Sequence, residues 1–235
     1  MKKRALALLL AAMMVVSCTA CGSDKASTAA SGETAGSTAA SGAEANGTAA
    51  TTTSGNYLNV MVEVEVSSLD PQVATDGTSF EVIADYTDGL MQMDADGKAV
   101  PAIAESYELS EDGKTYTFKL REDAKWSNGD PVTADDFVFG WQRAVDPATA
   151  SEYSYMLSDI GQVVNAAEII AGEKSVDELG IKAVDEKTLE VSLNVPVSYF
   201  LSLMYFPTFY PINRNFYNSL SEGTFGTSPE TVLSN

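Results

Sequence analysis

Four aspartates lie close together in the stretch KWSNGDPVTADDFVFGWQRAVDP (125–147): Asp130, Asp135, Asp136 and Asp146. Two carboxylates that face one another could transfer protons to and from a substrate, as in glycoside hydrolysis. A larger group of carboxylates could hold a metal ion. The same acids could instead cap a helix and close turns. The elements predicted around them decide between these interpretations.

Those elements favour a structural role for all four acids. Thr133 is a good N-cap for a helix predicted over 134–145, and Asp136 three residues later completes a capping box. Asp135 and Asp136 also lie in the first turn, where carboxylates stabilise the helix dipole. The other two acids fall in segments typical of turns, Asp130 in SNGD (127–130) and Asp146 before Pro147.

Several kinds of catalytic site need residues that this chain lacks. It has no histidine, which removes Ser-His-Asp and Cys-His catalysis and most zinc sites. It has neither the P-loop nor the dinucleotide-binding glycine motif. DADGKAVPAIAE (94–105) begins like a calcium loop, but Lys98 and Ala99 stand where a ligand and a glycine are needed. We therefore expect no enzymatic activity, no cofactor and no metal.

The first 21 residues predict a secretory leader. The basic residues KKR (2–4) precede an apolar run that is shorter than the roughly 20 residues of a membrane-spanning helix, and small residues follow. Both cysteines of the chain, Cys18 and Cys21, lie in this cleavage zone. We expect one of them to become the lipid-modified first residue of a bacterial lipoprotein. Cys21, in CTACGS, is the preferred site, and Cys18, in VVSC, is the alternative.

Composition sets two further expectations. Residues 22–56 are dominated by Ser, Thr, Ala and Gly, so they cannot bury enough apolar surface to offset their ordering entropy, and they predict a flexible tether. The chain carries 33 acidic against 14 basic residues, a formal net charge of −19. Such a surface is repelled by phosphate backbones, which excludes nucleic-acid binding.

From residue 57 onward the pattern predicts mixed strands and helices. A β-branched run at 58–66 predicts a buried strand, and apolar spacing over 79–90 predicts a helix that stops at Gly89. Alternating runs predict a hairpin at 107–120. Further predicted elements are a second strand pair at 181–193 and a helix at 160–171. Without a repeating strand-helix rhythm, this order indicates a mixed α/β or α+β fold.

The order of these motifs resembles the extracytoplasmic solute-binding proteins of ABC importers, family 5, and within it the oligopeptide-binding type. The matching segments are SLDP (68–71), DGL (88–90), residues 100–153 and LGIKAVDEKTLEVSL (179–193). The most specific part is WSNGDPVTADDF followed by WQRAVDPATAS. The resemblance implies a mixed α/β, periplasmic-binding-protein-like type II fold with an extra α+β domain.

The resemblance also implies domain boundaries. Residues 57–87 would begin lobe I, residues 88–212 would form the extra domain, and residues 213–235 would return to lobe I. The chain ends in SPETVLSN (228–235), where the family continues with about as much chain again. We therefore expect an N-terminal fragment that lacks the second lobe and binds peptides weakly or not at all.

Two positions match the family's ligand contacts. The loop after SLDP, comprising Ala74, Thr75, Asp76, Gly77 and Thr78, falls where the family pairs with the peptide main chain. Tyr153, after DPATAS, falls where a tyrosine lines the groove. Many relatives have other residues at the positions of Thr75 and Asp76, so the resemblance does not specify which hydrogen bonds this loop makes to a peptide. Tyr153 could instead be a packing residue near a helix end.

The resemblance predicts a monomeric receptor that captures oligopeptides and hands them to an ABC permease and its ATPase. Its lipid anchor would place it on the outer face of the cell membrane, extracellular in a Gram-positive and periplasmic in a Gram-negative bacterium. The alternatives are a family member for another solute, namely a dipeptide, a nickel chelate or a glycan, and an adhesion or signalling lipoprotein that does not transport.

Overall fold

Two antiparallel sheets and the helices packed on them make up the described part of the protein. The structure is a computed structural model, and it describes residues 61–62 and 64–235. Its strands are β1 (Met91–Met93), β2 (Ala99–Pro101), β3 (Ala104–Leu109), β4 (Thr115–Leu120), β5 (Ile181–Asp185) and β6 (Thr188–Ser192). β1 pairs with β2, and the larger sheet has the order β3-β4-β6-β5.

β4 is one of the two inner strands of the larger sheet, and its sequence alternates between apolar and polar residues. Tyr116, Phe118 and Leu120 point to one face and are buried, while the residues between them are more exposed. Phe118 faces Tyr107 on β3 and Leu189 on β6. The hairpin predicted at 107–120 and the strand pair predicted at 181–193 are therefore confirmed.

The predicted helix at 134–145 is confirmed as α2 (Ala134–Val145), with both halves of the Thr133 capping box formed. α2 packs against β5 and β6 and buries Phe137 and Trp141 in the main core. The Trp141 indole N–H donates to the carbonyl of Phe209 at 2.8 Å. The specific sequence around Trp141 thus holds the central helix on the sheet.

The remaining helices are short. They are α1 (Gly77–Tyr86), α3 (Ala166–Ile170), α4 (Phe200–Leu203), α5 (Arg214–Ser219), a π-helical turn (Met156–Ile160) and 3₁₀ turns at Val176–Glu178, Pro207–Phe209 and Pro229–Thr231. The continuous helix predicted over 160–171 was wrong. Val163 and Val164 lie in its middle, and their backbone pairs with Leu193 and Ser192. Backbone groups that pair with another segment cannot also form the hydrogen bonds of a continuous helix.

Two other predicted elements differ from the structure. α1 ends at Tyr86, because the carbonyls of Gly89 and Leu90 accept hydrogen bonds from the backbone at 102–104 and start strand pairing instead. The strand predicted over 58–66 does not form in its described residues, 61–62 and 64–66, where Met61 and Val64 are exposed. A β-branched run becomes a strand only when a second strand pairs with it, and no described strand does so.

The predictions for the N-terminus lie outside the described residues. They concern the leader (1–21), the tether (22–56) and lipidation at Cys21 or Cys18. Among the residues that the structure covers, no helix is long and apolar enough to cross a membrane.

Candidate functional site

The predicted ligand-contact segment, residues 74–78, forms the entry to α1 and is called the ligand loop below. Ala74 is buried, Thr75 and Gly77 are exposed, and Asp76 is the N-cap of the helix. Asp76 has the extended backbone, with φ −112° and ψ 154°, that an N-cap residue adopts. The loop is therefore an ordered turn that presents its backbone at a helix start.

The Asp76 carboxylate organises this turn. It accepts the Ser79 N–H at 2.8 Å and the Ser79 hydroxyl at 2.7 Å, and it also accepts the Ser67 hydroxyl. The hydrogen bond from Ser67, together with those from Ser79, lowers the pKa of Asp76 from 3.8 to about 2. Asp76 is thus ionised at neutral pH and ties the segment before the loop to the helix after it.

The cap leaves part of the loop backbone available to a ligand. The first N–H groups of an α-helix have no partner within the helix. The Asp76 carboxylate accepts the N–H of Ser79, whereas the N–H groups of Gly77 and Thr78 have no acceptor within the helix. A carbonyl of an extended peptide is one group that could accept from them.

Tyr153 belongs to a group of four aromatic rings, called the aromatic cluster below: Phe80, Tyr153, Tyr155 and Phe206. Phe80 meets Tyr153 edge-on with ring centroids 5.3 Å apart. Tyr155 stacks on Tyr153 at 5.8 Å and is 43% exposed. Because Phe80 lies in the first turns of α1, the ligand loop and Tyr153 become neighbours through its ring.

Sequence reasoning missed three members of the cluster. The apolar spacing over 79–90 places Phe80 on the buried stripe of a helix and gives no reason to group it with Tyr155 or Phe206. The only local signal was the aromatic richness of 197–217 and of the YSY motif (153–155). The contact between Phe80 and Phe206, with centroids 5.0 Å apart, joins residues distant in the chain, so spacing could not predict it.

A buried ion pair lies at the base of the ligand loop. Arg143 on α2 donates to both carboxylate oxygens of Asp70, at 2.8 and 3.1 Å, and their side chains are 12% and 7% exposed. Burial lowers the pKa of the Arg143 guanidinium, but the hydrogen bond and charge of Asp70 outweigh it, so that the pKa is raised. The Arg143 guanidinium therefore stays charged beside Asp70.

The four aspartates of the stretch 125–147 serve as caps and turn residues, as predicted. Asp136 accepts the Trp126 indole N–H at 3.0 Å as well as the Thr133 N–H. Asp130 accepts from the Asn128 amide, and Asp146 from the Ala148 N–H. Asp135 is exposed in the first turn of α2.

The buried carboxylate of Asp136 has a raised pKa. Burial raises it, while the hydrogen bonds from Trp126 and the Thr133 and Arg214 N–H groups act in the opposite direction. A raised carboxylate pKa can mark a general acid, but here the oxygens are occupied by donors of the fold. Within the described part of the chain, no group of three or more acidic residues is arranged to hold a metal ion.

A groove of about 760 Å³ opens on another part of the surface. Val73, Asp70 and Arg143 line it, together with Tyr217 and Phe225. The volume is typical of a small-molecule site, but neither the ligand loop nor Tyr153 lines the groove. It shares the ion pair, Val73 and Ser68 with the surroundings of the predicted site.

A family model of the bacterial extracellular solute-binding proteins, family 5, matches residues 98–231. The chain is 42% identical over 171 residues to the periplasmic oligopeptide-binding protein OppA of Escherichia coli. It is also 42% identical over 168 residues to the probable deoxycholate-binding periplasmic protein YgiS of the same organism. These matches cover 73% and 72% of this chain and 31% of each relative, so the chain spans under a third of the length of either.

The fold matches a solved structure of the same kind. The substrate-binding domain of an oligopeptide ABC transporter from Bacillus anthracis superposes with a TM-score of 0.70 at 47% identity, over 73% of this chain and 32% of that one. The predicted mixed α/β fold of the type II periplasmic-binding-protein kind is confirmed by this likeness.

Proposed function

Since the chain belongs to the bacterial extracellular solute-binding proteins of family 5, we propose that it is part of a receptor that captures oligopeptides outside the cell and delivers them to an ABC permease and its ATPase. The receptor acts as a monomer, held on the outer face of the membrane by a lipid on Cys21, or alternatively on Cys18. Residues 1–21 act as the leader that directs secretion, and residues 22–56 act as a tether that lets the folded part extend away from its lipid anchor.

The observation that carries this proposal is the junction of the ligand loop with the aromatic cluster. The N–H groups of Gly77 and Thr78 can bond a peptide main chain whatever its sequence. Tyr153 contacts Phe80, which follows them in α1, and the exposed ring of Tyr155 stacked on Tyr153 offers an apolar surface to one side chain. Hydrogen bonds to the peptide backbone do not depend on the peptide sequence, and an apolar surface accepts many different side chains. Together they suit a receptor that binds peptides of many sequences.

The proposed role is binding without catalysis. The acids that could have formed a catalytic pair are engaged by the fold, as Asp136 is by Trp126 and Thr133. The relatives are solute-binding proteins as well. We also retain the domain boundaries as part of the proposal: 57–87 and 213–235 belong to lobe I, and 88–212 to the extra domain.

A second ligand class is favoured by one relative and by the aromatic cluster. The relative YgiS is described as probably deoxycholate-binding, and a flat steroid can stack on aromatic rings as a peptide side chain does. Peptides and steroids differ in whether their binding requires hydrogen bonds from the backbone of the ligand loop. A peptide uses the N–H of Gly77, whereas a steroid bound to the rings does not require it.

The test is an NMR titration of the ¹⁵N-labelled chain with tri- to pentapeptides, and separately with deoxycholate. We expect weak binding, with peptide-induced shifts at the amides of residues 75–78 and Tyr153. Peptide-induced shifts confined to other parts of the chain would refute the peptide proposal. Shifts at Tyr153 and Tyr155 alone, produced only by deoxycholate, would support the steroid alternative.

A matched pair of variants sharpens this titration. Gly77→Pro removes one N–H at the first helical position, where proline is favoured, and Asp76 already has the extended backbone that proline requires before it. Gly77→Ala keeps the N–H, and its new Cβ would contact no other residue. Peptide binding should weaken in Gly77→Pro and persist in Gly77→Ala. Equal binding by both variants would show that this N–H is not a ligand contact.

A further inference from the structure

The position of the ligand loop is set by Asp70. The Asp70 carbonyl accepts the N–H of Val73 at 3.1 Å and that of Ala74 at 2.9 Å. Its carboxylate accepts the N–H of Gln72 at 3.0 Å. Asp70 therefore closes the turn from which the loop starts, and any movement of Asp70 moves Ala74.

Asp70 is fixed in turn by Arg143. The guanidinium bonds both Asp70 oxygens and also donates to the Gln72 side-chain oxygen at 3.1 Å. The Gln72 amide donates to the Tyr210 carbonyl at 3.1 Å. One planar side chain thus bonds both polar residues of the turn before the loop, and its rigid fork fixes their relative positions more narrowly than the rotatable donors of an ammonium group would.

Arg143 itself has little freedom. It lies near the end of α2, between Trp141 and Ala144, which are fully buried in the core. Its guanidinium packs over the ring of Tyr217 at 4.6 Å. The side chain is therefore held from both sides and can transmit the position of α2 to the turn.

We propose that Arg143 is a positioning residue for the ligand loop: by holding Asp70 and Gln72 in one plane, it sets the direction in which the N–H groups of Gly77 and Thr78 point. The inference rests on the proposed function, since it assigns Arg143 a purpose at that site. In this role Arg143 acts through Asp70 and Gln72 and not through a contact with the peptide. Its effect is to give the loop one conformation before a peptide arrives, which lowers the entropic cost of binding.

A purely structural ion pair would act differently. It would stabilise the whole protein, so that its loss would weaken every part of the fold alike. A positioning residue, by contrast, affects the loop more than the core. Hydrogen exchange separates the two because local and global opening are measured at individual amides.

The experiment uses the full chain with Arg143→Lys, which keeps the charge but loses the planar fork. The control is Lys182→Met, which breaks a surface ion pair of similar length, 2.7 Å to Glu190, on the sheet. In Arg143→Lys, protection of the Ala74 amide should fall at least tenfold more than protection of the central β4 amides. Peptide-induced shifts at residues 75–78 should be lost while those at Tyr153 remain. Lys182→Met should change neither.

Equal loss of protection at Ala74 and in β4 would overturn the proposal, as would unchanged peptide shifts at residues 75–78. If Arg143→Lys does not fold, Asp70→Asn carries the same measurements, because it keeps the shape of the turn. If neither variant folds, the pair is a folding requirement and the proposal fails. If no peptide shifts any amide of the unmodified chain, the exchange comparison between Ala74 and β4 alone decides the loop-positioning role.

Discussion

Two carboxylates at helix starts, those of Asp76 and Asp136, have oppositely shifted pKa values because they differ in burial. Asp76 is half-buried at the surface, accepts hydrogen bonds from hydroxyl and N–H donors, and has a lowered pKa. Asp136 lies inside the fold, gathers a similar number of donors, and has a raised pKa because burial dominates. Asp76 is the N-cap of α1 and Asp136 is the third residue of α2, where it accepts the Thr133 N–H, so the pKa values at the two helix starts are shifted in opposite directions.

We predict that the start of α1 loosens in acid. The folded pKa of Asp76 is about 2 and its ordinary value is 3.8, so its stabilisation is complete above 3.8 and is lost as the pH falls towards 2. Exchange of the Ser79 amide should therefore accelerate over this window relative to the β4 amides. In Asp76→Ala the Ser79 amide should exchange fast at every pH. A Ser79 amide that stays protected at pH 2 would contradict the assignment of this cap.

We predict that Asp136→Ala destabilises the protein by about 3 kcal/mol, because buried donors from Trp126 and Thr133 lose their acceptor and the cap is lost. The exposed neighbour Asp135 supplies the control, since Asp135→Ala removes a charge from the same turn without freeing a buried donor. Urea unfolding measures both. Similar midpoints for the two variants would show that the buried hydrogen bonds contribute little.

At the scale of elements, tight packing decides where helices can lie. Gly140 in the middle of α2 faces the Tyr210 carbonyl, and a Cβ built there would lie 2.5 Å from that oxygen. Gly77 in the first turn of α1 has open space around it. Helix propensity alone favours alanine at both positions.

We predict opposite effects of the same substitution in these two helices. Gly140→Ala should destabilise the protein by about 1–3 kcal/mol, because α2 must move away from the backbone at Tyr210. Gly77→Ala should stabilise it by about 0.5 kcal/mol through the unfolded chain. Thermal unfolding of both variants checks this. A stabilising Gly140→Ala would mean that the helix has room at this contact.

Elements set by local pattern could be predicted from the sequence, and elements set by distant partners could not. The capping box at Thr133 and the hairpin turn before β4 depend on neighbouring residues, and both are present. The helix at 160–171 failed because Val163 and Val164 pair with a distant segment. The ligand loop was placed by family resemblance, but its link to Tyr153 through Phe80 needed the structure.

At the scale of the whole molecule, charge is the dominant property. The formal net charge is −19, and Asp85, Glu81 and Glu152 are exposed near the ligand loop and Tyr153 in the sequence. The field of so many acids attracts cations and repels anions over a distance of about one Debye length, roughly 10 Å at 0.1 M salt. Ligand charge should therefore affect binding even where no side-chain contact reads it.

We predict that a lysine-containing tripeptide binds more tightly than the matching glutamate-containing tripeptide, with trialanine between them. The difference should shrink as salt is raised, because screening weakens the long-range field while leaving backbone hydrogen bonds in place. Titrations at low and high salt measure this. Equal affinities at low salt would show that the charge of the molecule does not reach the site.

The contact between Trp126 and Asp136 makes the intrinsic fluorescence of the protein a probe of one helix. The chain has two tryptophans, and both are buried: Trp126 donates to the cap of α2, and Trp141 lies within α2. Neither belongs to the ligand loop or the aromatic cluster. A change in tryptophan emission on adding a ligand would therefore indicate that α2, the helix that contains Arg143, moves or changes its packing when the ligand binds. Constant emission would indicate that the ligand binds without changing the surroundings of α2.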